Sequence, residues 1–191
     1  ANGSIESVRE WGEAAFSLDK KQRRAFETMV SAFALTFYEG SEDAEVQDDA
    51  ENSERSKYCQ MEKALMELKG HKTNKQLIGL LHGPGGSGKS TVINMVKAYA
   101  QAYCDSLGHH YTRRTIIVTA MSGVAATILG GETTHSVFGL NRRKAFDEDE
   151  KDAFLDCRLI IIDEISFASS KNFEKIKNNI ATLLRKRYHV Y

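Results

Sequence analysis

Residues 83–90 read Gly83-Pro84-Gly85-Gly86-Ser87-Gly88-Lys89-Ser90, directly after the apolar run Leu77-Ile78-Gly79-Leu80-Leu81. The glycines at 83, 85, 86 and 88 let the backbone turn tightly, so that successive N–H groups converge on anionic oxygens. A helix opening near Lys89 adds its positive dipole end. Lys89 is placed to reach the β- and γ-phosphates and the Ser90 hydroxyl to ligate Mg²⁺, while Thr91 follows as a further nucleotide contact. An apolar strand before the loop and a helix after it form the context in which this pattern binds phosphate, whereas a glycine-rich turn with an incidental Lys-Ser needs neither. The chain is therefore read as binding a nucleoside triphosphate.

The rest of the composition is compatible with that reading. A length of 191 residues suffices for one well-buried domain, and 41% hydrophobic with 27% charged residues is ordinary for a globular protein. No apolar run reaches membrane-spanning length and the N-terminus has no signal-peptide layout, which argues against membrane and secreted classes. The start Ala1-Asn2-Gly3-Ser4 lacks an initiator Met, so a processed or excised chain is expected. Cys59, Cys104 and Cys157 show neither metal spacing nor a disulfide framework, which suits a reducing compartment. That means the nucleus or mitochondrion in a eukaryote, otherwise the cytoplasm. The formal net charge of zero hides an asymmetry: residues 1–56 carry 13 acidic and 6 basic side chains, residues 57–191 carry 13 acidic and 20 basic ones. A polyanionic partner for the basic part is one reading, and a solvated surface beside an acidic loop is the other.

Periodicity supplies the elements. Residues 1–16 read as a tail. With Ser17 as N-cap, Leu18, Phe26, Met29, Val30, Phe33 and Phe37 predict a helix from about Leu18 to Tyr38. The acidic stretch at about 39–56 cannot build a core and reads as a mobile insertion, followed by a short amphipathic helix through Met61, Leu65 and Leu68 that closes at Gly70. From Leu77 onward the order is strand, phosphate loop, helix, strand, helix, strand, helix. Ile93, Val96, Ala100 and Tyr103 stripe the first of these helices, and Thr115–Thr119 form the next strand. Gly123–Leu129 follow as a helix ending at Gly130-Gly131, then a strand at Leu159–Ile162, then a helix marked by Phe173, Ile176, Ile180, Leu183 and Leu184. Strands this apolar are buried on both faces, which predicts an α/β fold with a mostly parallel sheet flanked by helices.

The run Leu159-Ile160-Ile161-Ile162-Asp163-Glu164 ends a strand on two carboxylates. Asp163 is assigned to the metal and Glu164 to orienting the attacking water, since acids at a strand's carboxyl end serve those roles in phosphate-loop NTPases. A strand that simply ends on two solvated acids is the plainer alternative. ATP is the default nucleotide because no guanine-reading Asn-Lys-x-Asp pattern is present. Gln22 carries an amide able to read an adenine edge, or is a polar residue on a helix surface.

The segment from Thr119 to Leu140 decides among NTPase types. Thr119, Ser122, Thr134 and Ser136 are small hydroxyl residues near glycines such as Gly123, suited to phosphate contacts that read no base. Phe138 is either a stacking platform or core, and His135 either a contact or a structural histidine. Arg142, Arg143 and Lys144 form either a basic patch facing nucleic acid or part of a solvated hairpin with Asp147-Glu148-Asp149-Glu150. His109 and His110 read as loop residues.

Thr119–Ala126, Gly131-x-Thr133-Thr134-His135-Ser136-x-Phe138-Gly139-Leu140, Asp163-Glu164-Ile165-Ser166 and Leu18…Gln22 closely resemble motifs of the petite-integration-frequency (PIF) helicases of superfamily 1. The Gly-Pro-Gly-Gly form of the loop is similar to that of rolling-circle-transposon helicases. The resemblance runs from about Leu18 to Leu184, excepting the acidic insertion. It implies a RecA-like motor domain over 17–191, ATP and Mg²⁺ as cofactors, and 5′→3′ movement on single-stranded DNA. It also implies a monomer acting in DNA repair, recombination or telomere maintenance. Carried over residue by residue, it implies adenine sensing at Gln22 and DNA contacts at Thr119, Ser122, Gly123, Thr134, His135, Ser136 and Phe138.

The family pattern continues past Tyr191 with a glutamine sensor strand and a second motor domain bearing an arginine finger, so the fold is expected to be incomplete at its C-terminus. Such a finger contributes on the order of 10³–10⁵ in rate. The chain alone is expected to bind ATP·Mg²⁺, hydrolyse it very slowly and not unwind DNA. A helicase-derived binding module without turnover, and another phosphate-loop ATPase such as a clamp-loader-like machine or a nucleotide kinase, are the alternatives.

Overall fold

The computed structural model describes residues 18–37 and 78–184. The acidic insertion, the Met61–Leu68 helix, Ser17, Leu77 and Cys59 lie outside the described residues. The chain divides at Tyr111 into two compact units.

The first unit pairs two helices. Helix α1 spans Lys20–Leu35, and its N-cap is Asp19. The sequence Asp19-Lys20-Lys21-Gln22 forms a capping box: the Lys21 and Gln22 N–H groups donate to Asp19 Oδ1 at 2.8 and 3.0 Å, and the Asp19 N–H donates to Gln22 Oε1 at 3.1 Å. The N–H groups of Gln22 and Lys21 hold the Asp19 carboxyl below the usual carboxylate range. Helix α2 spans Lys89–Ser106 and buries Val92, Ile93, Met95, Val96, Tyr99, Ala100, Tyr103 and Cys104. It packs on the α1 face carrying Phe26, Val30, Phe33 and Ala34. Edge-on aromatic contacts stitch the seam, Phe26 on Tyr99 and Phe33 on Tyr103.

One expectation fails in this unit. Residues 78–81 belong to no strand, and Ile78 and Leu80 are 85% and 78% exposed. An apolar run becomes a strand only where a neighbour accepts its ladder of hydrogen bonds, and among the described residues none pairs with it.

The second unit is built on a sheet. Strand β1 (Ile116–Ala120) is central and wholly buried. It pairs in parallel with β2 (Glu132–Thr133) on one side and β3 (Leu159–Asp163) on the other. Helices α3 (Gly123–Ile128) and α4 (Thr134–Val137) precede and follow β2. A short helix, α5 (Glu148–Asp152), a 3₁₀ turn (Ile165–Phe167) and α6 (Ser170–Leu184) complete the unit. Its core gathers Ile117, Phe138, Leu140, Phe154, Cys157, Ile176 and Leu183. Phe173, expected on the buried stripe of α6, is 56% exposed, because it sits in the first turn, outside the Ile176–Leu183 seam. Among the described residues, no helix is long and apolar enough to cross a membrane.

Candidate nucleotide and nucleic-acid site

The phosphate loop lies in the first unit, where its backbone is shaped for an anion. Gly86 and Gly88 take φ values of 75° and 77°, which other residues enter only at a cost. Gly88 is the N-cap of α2 and offers no side chain to its first N–H groups. Those donors are left for a ligand. Lys89 Nζ donates to the carbonyls of Gly83 at 2.8 Å and Pro84 at 2.9 Å, which ties the ammonium to the loop. Gly85 and Ser90 are exposed, as is Thr91 in the first turn of α2. These features fit a bound phosphate chain.

Gln22 does more than a surface residue would. Its Nε2 donates to the Ser87 carbonyl at 3.1 Å, joining α1 to the loop, while its Oε1 is committed to the capping box. A Cβ on Gly88 would come within 2.3 Å of that Nε2, so the glycine also makes room for the brace.

The register of the second unit brings together segments far apart in sequence. Ala120 pairs with Thr133 on one side and Asp163 on the other, so all three strands end in one row. Just past that row stand Ser122, the Thr134-His135-Ser136 turn and Glu164. The carboxyl edge of a parallel sheet is where such folds place their ligands. Gly131 permits this register, since a Cβ there would meet the Val118 carbonyl oxygen at 2.2 Å.

Individual side chains at this edge differ in availability. Ser122 caps α3, accepting from the Ala125 N–H at 3.2 Å, and donates to Glu164 Oε2 at 3.0 Å. Ser122, Gly123 and Ser136 are exposed and His135 is half-buried. Three residues read as contacting DNA are instead interior. Thr134 Oγ1 donates to Thr119 Oγ1 at 3.1 Å, which donates in turn to the Ile161 carbonyl at 3.4 Å, all of it buried. Phe138 is 0% exposed against Phe154 and is core rather than a stacking platform. Its environment comes from β3 and α6, which its own neighbours in sequence could not reveal.

The basic patch resolves as a hairpin at Arg142. The guanidinium pairs with Glu150, donates to the Lys144 and Ala145 carbonyls and lies over the Phe146 ring. The pairing lowers the Glu150 carboxyl and raises Arg142. Arg143 and Lys144 are exposed.

Two residues of α6 escaped sequence reasoning. Lys175 Nζ donates to the Leu140 carbonyl at 3.0 Å and Asn179 Nδ2 to the Phe138 carbonyl at 2.6 Å. Together they hold the end of the His-Ser turn against α6. On an amphipathic helix they read as solvated polar residues, and no local signal marks them.

Residues 67–185, more than half of the chain, match the AAA domain family. The chain belongs to that family. The AAA domain here is a phosphate-loop module of the helicase-like NTPase type, a family that implies a bound nucleotide with a divalent metal. Among curated proteins, it is 31% identical over 114 residues to the ATP-dependent DNA helicase RRM3 of Saccharomyces cerevisiae. It is 29% identical over 114 residues to uncharacterized protein 030L of Invertebrate iridescent virus 6. These matches cover 54% and 53% of this AAA-domain chain but only 15% and 20% of the two relatives. No solved structure matches significantly.

Proposed function

We propose that the chain is the first motor domain of an ATP-dependent DNA helicase that moves 5′→3′ on single-stranded DNA. The observation that carries this is the parallel register. It lines up the carboxyl ends of β1, β2 and β3, so a pair of acids and the exposed hydroxyls of Ser122 and Ser136 share one sheet edge. The likeness to a yeast DNA helicase supports the class, and the resemblance to PIF helicases supports the polarity.

ATP with Mg²⁺ supplies the phosphoryl group whose transfer to water releases the free energy. The uncapped start of α2 and the loop backbone bind the phosphates, and Lys89 leaves the Gly83 and Pro84 carbonyls to neutralise their charge. Within the loop, Ser90 is the residue that would hold the metal, and the resemblance implies a metal-directed role for Asp163. Glu164 orients a water and accepts its proton. Gln22 secures the loop from α1 as well as facing the base. Ser122, Gly123, His135 and Ser136 meet the DNA backbone, a contact that fixes position without reading sequence.

The test is turnover of this chain with and without single-stranded DNA, beside the same chain extended through its native downstream sequence. Strong stimulation by DNA in the extended protein alone is expected, and it should vanish in Lys89→Ala. Negligible turnover in both, with ATP still bound, would replace the motor by a binding module.

A further inference from the structure

We propose that Phe167 is a base-stacking contact for single-stranded nucleic acid, filling the role that the sequence pattern allowed Phe138, which is core. This role rests on the strand-binding reading of the sheet edge given above and adds the contact that holds a base. Of the Phe, Tyr and Trp side chains among the described residues, only Phe167 and Phe173 are open to solvent, at 75% and 56% exposure.

A single exposed apolar side chain is ordinary on a protein surface, so position has to decide. Ala120 of β1 pairs with Asp163 of β3, and Val124 and Phe167 each stand four residues beyond their strand's end. Val124 is 74% exposed, in the first turn of α3. Between each of these apolar groups and its strand comes one member of the hydrogen-bonded pair Ser122 and Glu164. Phe167 thus belongs to the carboxyl edge where the hydroxyls of Ser122 and Ser136 are exposed, whereas Phe173 lies within α6, ten residues beyond Asp163. The ring is also held in place. The Phe167 N–H donates to the Glu164 carbonyl and the Ala168 N–H to that of Ile165, both at 3.0 Å, which closes the 3₁₀ turn. Ile165 and Ala168 pack against the core of this unit, so Phe167 is the large side chain of the turn left outside. A side chain fixed before binding loses little freedom on contact.

Charge and chemistry select the occupant. The stretch from Ile165 to Lys177 carries Lys171, Lys175 and Lys177 against Glu174. Ser166, Ser169, Ser170 and Lys171 flank the ring in sequence, and all are exposed. An aromatic face among small hydroxyls and lysines suits unpaired bases on a phosphate chain, because stacking accepts every base and the cations meet the backbone. An apolar protein partner would need a contiguous apolar patch, and the sequence neighbours of Phe167 are mostly polar.

The experiment uses this chain without nucleotide. Affinity for fluorescein-labelled oligothymidylate is read by anisotropy. Phe167→Ala and Phe167→Leu should bind about fivefold or more weaker, the order of one base–aromatic stack, and Phe167→Tyr close to wild type. The factor should be the same at low and high salt, because the ring neutralises no phosphate. Wild-type affinity in Phe167→Leu would reduce the ring to a general apolar contact and overturn the stacking. In Phe167→Trp the added indole, read against the signal of the native Trp11, should be quenched by oligothymidylate and far less by an abasic strand with as many phosphates. Equal quenching by the two strands, or none, would overturn the proposal too. Urea unfolding should be unchanged in all four variants, since the ring lies outside the core; should Phe167→Ala fail to fold, the Phe167→Trp signal decides. If the wild-type chain binds no oligothymidylate at any salt concentration, the strand-binding reading fails and takes this one with it. If the wild type binds and Phe167→Ala binds equally, only the role of Phe167 fails. Altered sedimentation of Phe167→Ala at unchanged oligothymidylate affinity would assign the ring to a protein surface instead.

Discussion

Gly88 answers two separate demands. Its φ of 77° favours glycine, and a Cβ would meet Gln22 Nε2 at 2.3 Å. Gly88→Ala should therefore cost about 1 kcal/mol from the backbone alone, and more from pushing Gln22 off the Ser87 carbonyl. Pairing it with Gln22→Ala should relieve the second part only. Thermal unfolding with and without nucleotide checks both, and equal melting temperatures for Gly88→Ala and wild type would contradict the brace. Phe138 offers the opposite case. As a buried ring it should lose roughly 3–5 kcal/mol of stability in Phe138→Ala, seen in urea unfolding. Loss of single-strand binding at unchanged stability would instead restore it as a stacking platform. The eight residues of the loop were legible because their chemistry is local. Phe138, Thr119 and Thr134 were not, since burial is conferred by partners such as Phe154 and Ile161 that lie tens of residues away.

Helix α1 begins where a capping box dictates, and the box was readable in Asp19-Lys20-Lys21-Gln22, although Ser17 was the residue expected to cap it. The cap carries a pH signature. The folded state holds the Asp19 carboxyl below its ordinary range, so its contribution is fully present above the unfolded carboxylate value. That contribution disappears as pH falls through the depressed folded value. Asp19→Asn, which caps without titrating, should flatten this part of the acid limb of a stability–pH curve. An unaltered acid limb would show that the cap is not formed. Helix α6 is held by less visible means, the Asn179 amide on the Phe138 carbonyl and Lys175 on that of Leu140. Asn179→Ala leaves a carbonyl of a core residue without its donor and should cost about 1–3 kcal/mol. A double-mutant cycle with Lys175→Met would reveal whether the two grips act together. The four residues read as the stripe of α2 from its 3.6-residue period are all buried, joined by Val92, Met95, Tyr99 and Cys104, whereas β2, only two residues long, has no period to detect.

Across the whole chain, the order of elements foretold a parallel α/β architecture, because apolar strands separated by helices leave few other packings. Chain order does not give spatial order, however, and β1 rather than β2 proved to be central. The charge asymmetry is also a property of the whole. Residues 57–191 carry 20 basic against 13 acidic side chains, and residues 1–56 the reverse excess, 13 acidic against 6 basic. Overall neutrality predicts no long-range attraction for a polyanion, so any attraction must come from the basic part acting locally. Single-strand affinity should then fall as salt rises, with a slope of about 0.7 in the logarithms for each phosphate neutralised. Raising the salt would leave the affinity flat if the strand were held by stacking and hydroxyl contacts alone. In the proposed reading the hydroxyls of Ser122 and Ser136 would position a backbone but would release no counterions. The slope therefore reports on cations such as Arg143 and Lys144, whereas Arg142 is already paired with Glu150. Replacing Arg143 and Lys144 by Ala should lower the slope by about 1–2 contacts' worth if they face the strand. An unchanged slope would move the strand's track to other basic residues.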